Sequence, residues 1–85
     1  MDRFTFRSGG LTLSYLDAGG DGPVLIALHA HMMTALSFEP LAQALWPDWR
    51  VIALDQRSHG HSDHAASYSR DDYIGDSRRF MRISI

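Results

Sequence analysis

Two short, unbroken apolar runs constrain this chain more than any other feature: Val24-Leu-Ile-Ala-Leu28 and, entered at Arg50, Val51-Ile-Ala-Leu54. A strand with one wet face alternates apolar and polar residues, whereas a strand covered on both faces is apolar throughout, as in a parallel sheet. Between the runs, Phe38, Leu41, Ala42 and Leu45 recur at helical spacing on one face. Ser37 is placed to cap that helix, and Pro40 is tolerated in its first turn. Trp46-Pro47 stops it, because the residue before a proline avoids helical angles. Strand, helix, strand predicts a βαβ unit, with His29 to Thr34 as the loop that leaves the first strand.

Upstream, Arg3 to Arg7 alternates Phe4 and Phe6 with polar residues, and Leu11 to Leu16 alternates again. With Ser8-Gly9-Gly10 between them, these segments predict a β-hairpin, and Gly19 to Pro23 breaks the chain before the first apolar run. Downstream, Ser69 and Asp72 form a capping-box pair, with Tyr68 and Tyr73 spaced as a hydrophobic staple at the start of a second helix. Past Asp76 the apolar pattern weakens to Ile74, Met81 and Ile85, interrupted by Ser77, Arg78 and Ser84. At 85 residues the chain has room for one small domain with a modest core and no second domain.

Composition excludes several function classes. A net charge of −2 gives no electrostatic footprint for nucleic acid or an anionic membrane. The absence of cysteine removes disulfides and thiolate metal sites. The N-terminus, Met1-Asp-Arg3, has no signal-like segment, and the longest apolar run is too short to span a bilayer. The expectation is a soluble, cytoplasmic protein whose partner is a small-molecule substrate; the composition sets no oligomeric state.

The second apolar run leads into Asp55-Gln-Arg-Ser-His-Gly-His-Ser-Asp63, which is similar to the D-x-R-G-x-G-x-S-D turn of the α/β-hydrolase superfamily. Leu13-Ser-Tyr-Leu-Asp-Ala-Gly19 resembles that family's second-strand pattern, and Leu28-His-Ala-His-Met32 stands where it has an H-G loop. In order and spacing, Leu11 to Asp76 looks like the N-terminal third of such an enzyme. The resemblance implies an α/β fold with an incomplete α/β-hydrolase sheet: a β-hairpin, then a parallel βαβ, then the start of a helix. It also implies hydrolysis of an ester or related acyl bond by the full-length enzyme, through a nucleophile, an acid and a histidine, with no organic cofactor and no metal. The family also cleaves epoxide, carbon–halogen and carbon–carbon bonds with an altered nucleophile, and nothing in the sequence separates these.

By position, the resemblance makes the backbone N–H of His31 a donor of the oxyanion hole, which stabilises charge developing on a carbonyl oxygen. His29, Ala30 and Met32 complete that loop, with His29 holding it by hydrogen bonds. Asp55, Arg57, Gly60, Ser62 and Asp63 form a structural turn with no catalytic part. Ala30 and Ser58 stand where the family has glycine, so either is strained if its position requires positive φ. No G-x-S-x-G elbow occurs; the nearest approach, Gly60-His-Ser-Asp-His64, lacks the second glycine. The chain by itself is therefore expected to be catalytically inert. Ser77 to Ile85 departs from the leucine-rich spacing with which the family continues, which predicts an early chain end.

Two rival readings exist. Ser58 to His64 is also similar to the H-x-H-x-D-H motif of metallo-β-lactamase-type hydrolases, in which His59 and His61 would bind one zinc and Asp63 and His64 another. No histidine follows His64 to complete such a site. The other reading is a non-catalytic remnant whose sheet exposes an unpaired parallel edge.

Overall fold

The computed structural model describes residues 1–85. Strands β1 (Asp2–Ser8) and β2 (Leu11–Asp17) form the hairpin; β3 (Val24–Leu28) and β4 (Arg50–Leu54) follow, separated by helix α1 (Glu39–Leu45). A 3-10 turn over Ala35–Phe38 precedes α1, and helix α2 (Arg70–Ser84) closes the chain. The sheet order is β1-β2-β4-β3. β2 runs antiparallel to β4, with Leu16 opposite Ala53, while β3 is parallel to β4 from Val24–Arg50 to Leu28–Leu54.

Successive side chains of a strand point to opposite faces, and both faces of β4 are covered. Val51 and Ala53 join Leu16, Ala27, Ala35 and Ala42 in one core, against which Phe38 and Leu45 pack. Ile52 and Leu54 join Leu13 and Phe80 of α2 in the other, flanked by Phe6, Tyr15 and Ile26. The Phe80 ring lies 5.3 Å from that of Tyr15 and 5.8 Å from that of Phe6, centroid to centroid. The two helices thus cover both faces of β4, which is why Val51–Leu54 carries no polar alternation. The expectation of equal cover for Val24–Leu28 is corrected, because β3 is an edge strand in which only Ala27 is buried and Leu28 is 46% exposed.

Three other local expectations are corrected. Ser37 caps nothing: it lies inside the 3-10 turn, its hydroxyl donates to the Thr34 carbonyl, and no side chain caps α1. The extra 3-10 turn shifts the helix start and rotates its face, so that Leu41 is 40% exposed while Ala42 points inward. The weak pattern past Asp76 does not end the second helix, which runs to Ser84 with the Ser69–Asp72 capping box at its start. Its inward side is Asp76 and Phe80, one helical turn apart, while Ile74, Met81 and Ile85 are exposed. An inward carboxylate hid that face from a search for apolar spacing.

Candidate functional site

The turn after β4 is organised by one carboxylate. Asp55 is fully buried and accepts hydrogen bonds from the N–H of Ala35 (2.8 Å) and of His61 (3.2 Å), from the Ser14 hydroxyl (3.1 Å) and from the Arg3 guanidinium (2.7 Å). Burial alone would push its pKa up; the N–H groups of Ala35 and His61, with Arg3 and Ser14, outweigh burial and hold it below the ordinary 3.8. Gly60, at φ 52, leaves the room this needs, since a Cβ there would stand 2.3 Å from the Asp55 Oδ1. The Ser62 hydroxyl donates to the Asp55 carbonyl and accepts from the Ser14 N–H. Asp63 accepts from the Thr12 N–H at 2.8 Å. Arg57 grips Asp76 of α2 through two bonds of 2.7 and 3.0 Å and donates to the Ser67 carbonyl. That contact with Asp76 raises the Arg57 pKa above its ordinary value.

This turn supports the loop leaving β3. The Gln56 N–H donates to Nε2 of buried His29 at 3.0 Å, and the Gln56 side-chain amide donates to the His29 carbonyl at 2.7 Å. With Nε2 an acceptor, Nδ1 carries the proton and donates to the Ala30 carbonyl at 2.8 Å. The same carbonyl oxygen accepts the Met33 N–H at 3.1 Å. The Ala30–His31 peptide is trans, so its N–H points away from its doubly held carbonyl. That N–H belongs to His31 and donates to no group in the chain. His31 also lines an open cleft of about 390 Å³ with Met32, Ser58, His59, Tyr68 and Tyr73.

Backbone strain lies elsewhere than at Ala30. The left-handed residues other than glycine are Met32 (φ 68) and Ser58 (φ 63), so alanine fits its position without penalty. Ser58 puts its hydroxyl to use there, accepting from the Ala65 N–H and from the Tyr68 hydroxyl.

The zinc pattern does not assemble, and that reading is corrected. Both ring nitrogens of His59 are occupied by the backbone of Arg57 and Met32, and Asp63 is bound to β2. His61 contributes a backbone N–H, and no cluster of three or more potential ligands exists in the chain. Sequence reasoning missed Arg3, Ser14, Gln56 and Asp76. None had a local signal: Arg3, Ser14 and Gln56 are brought in by strand register and the turn after β4, and Asp76 by the docking of α2.

A hairpin joined antiparallel to a parallel βαβ, a helix on each face and a carboxylate-centred turn after β4 define the N-terminal portion of the α/β-hydrolase fold. No family model matches the chain. It is 35% identical over 75 residues to 2-(acetamidomethylene)succinate hydrolase of Mesorhizobium japonicum, covering 87% of this chain and 27% of that protein. It is 32% identical over 79 residues to epoxide hydrolase 4 of Mus musculus, covering 88% and 22%. Among solved structures, a thioesterase domain from the curacin biosynthetic pathway superposes with a TM-score of 0.93 at 24% identity, over 100% of this chain and 33% of that one. The Cif epoxide hydrolase of Acinetobacter nosocomialis gives 0.87 at 23%, over 98% and 27%. The relatives are hydrolases, and the chain spans about a quarter of the length of the curated ones it matches. No helix is long and apolar enough to cross a membrane.

Proposed function

We propose that this chain is the oxyanion-loop portion of an α/β-hydrolase that cleaves an ester or related acyl bond. The observation that carries the reading is the His31 N–H, unpartnered and aimed by a carbonyl held from two sides. A fixed N–H dipole of this kind stabilises the negative charge that gathers on a carbonyl oxygen as a nucleophile attacks. It is one donor of two. The second donor and the nucleophile belong to an elbow of the G-x-S-x-G type, which is absent from these 85 residues. The chain alone is therefore inert, the substrate is a small molecule, and neither a metal nor an organic cofactor takes part. A cytoplasmic location fits this reading.

The test pairs the intact mass of the native gene product with its turnover of a p-nitrophenyl ester. A product of its relatives' length should hydrolyse the ester, and His31→Pro, which removes the N–H, should lower kcat about 10²-fold. The 85-residue chain should stay at the buffer rate. Turnover by the short chain above the buffer rate would sink the reading.

A further inference from the structure

We propose that His59 is a positioning residue that latches the oxyanion loop, an inference that rests on His31 being an oxyanion donor. Met32 is held in the left-handed region although its side chain is 82% exposed, so side-chain packing does not keep it there. Its N–H instead donates to Nε2 of His59 at 3.3 Å. On the other side of the ring, Nδ1 lies 2.9 Å from the Arg57 carbonyl. A carbonyl only accepts and a backbone N–H only donates, so the ring is the neutral tautomer with its proton on Nδ1. Imidazole can accept on one edge and donate on the other at once; a phenyl ring can do neither.

The anchor of this latch is firm. Arg57 is tied to Asp76 of α2 and to the Ser67 carbonyl, and the His29 ring stands 4.8 Å from the His59 ring, centroid to centroid. A strut thus runs from α2 through Arg57 and His59 to Met32. Holding the Met32 N–H fixes the plane of the His31–Met32 peptide. The Ala30–His31 peptide is already fixed by His29 and Met33. Both peptides flanking the His31 Cα are then set, the first by His29 and Met33 and the second by His59, so that His59 keeps the far side of the loop from swinging and carrying the His31 N–H with it.

The test uses nitrogen-15-labelled 85-residue chain. In the unaltered protein, Nε2 of His59 should appear as an unprotonated nitrogen coupled through the hydrogen bond to the Met32 nitrogen. A ring protonated on Nε2, with no such coupling, would overturn the latch without recourse to any variant. In His59→Phe the Met32 amide should exchange about fivefold to tenfold faster, the effect of losing one net hydrogen bond. The Ala35 amide, bound to Asp55, should be unchanged and reports that the turn is intact. His59→Gln returns an acceptor and should recover much of the protection; equal exchange in all three proteins refutes the latch. Acetate, a small oxyanion, separates the two ideas. It should shift the His31 amide in the unaltered chain, less in His59→Phe, and again in His59→Gln. An equal shift in all three removes the positioning role, whereas no shift even in the unaltered chain overturns the oxyanion reading, and with it the role given to His59.

Discussion

At the scale of single residues, two positions show how backbone conformation and close approach set the allowed side chain. Gly60 combines φ 52 with an absent Cβ that would otherwise overlap the Asp55 carboxylate. Gly60→Ala should cost about 2–4 kcal/mol, from overpacking plus the left-handed penalty. An unchanged urea midpoint would contradict that. Met32 is the opposite case, a left-handed residue whose exposed side chain gives little in return. Met32→Gly relieves a penalty of about 1–2 kcal/mol and loses part of it to glycine's freedom in the unfolded chain, so stability should rise by about 0.5–1 kcal/mol. A lower midpoint would mean that the methionine side chain contributes packing not evident from its exposure.

At the scale of elements, α2 is attached by a buried ion pair as well as by Phe80. Arg57 and Asp76 are both almost fully buried, and the carboxylate also accepts from the Ser8 hydroxyl at 2.6 Å. Removing one partner strands a buried charge, so Arg57→Ala should cost about 3–5 kcal/mol. The double change Arg57→Met with Asp76→Leu should be much less harmful than the single one, because neither charge is then left unpaired. Thermal unfolding of the two proteins checks this, and equal losses would show that the pair is not the source of the attachment. At the helix start, the capping box was legible because it is local, a serine and an aspartate three residues apart. The inward face of the same helix was not, because Asp76 reads as a surface residue until Arg57 is brought against it.

At the scale of the whole molecule, only 18 of 85 residues are buried, so a few polar networks carry a large share of the specificity of the fold. Three carboxylates sit below their ordinary pKa of 3.8: Asp17 through its bond to Arg50, Asp55 through the N–H groups and side chains that offset its burial, and Asp72 through Ser67 and Ser69. A carboxyl depressed in the native state contributes stability above its unfolded pKa and loses it as pH falls through the folded value. Stability should therefore drop as pH is lowered below about 4, with Asp72 adding little because it is exposed to solvent screening. A urea midpoint that holds constant from pH 5 to pH 2.5 would refute this. β3 pairs only with β4, so its far edge keeps unpaired backbone groups, which makes it the place where further strand could add.

The sequence by itself determined the elements and most of the turn. The apolar runs Val24–Leu28 and Val51–Leu54 mark two strands, the second covered on both faces, and Gly60, Ser62 and Asp63 after Asp55 signal a turn, because these constraints act within a few residues. The tertiary structure alone decided the sheet order, the burial of Asp55 against Arg3 and Ser14, and the ion pair of Arg57 with Asp76. It also decided that His59 meets Met32 and does not join His61 and His64 around a metal. The physical reason is that each of these is a bond between segments distant in sequence: a carboxylate or an imidazole has the same local signature on the surface and in the core, and only strand register and helix docking supply its partner.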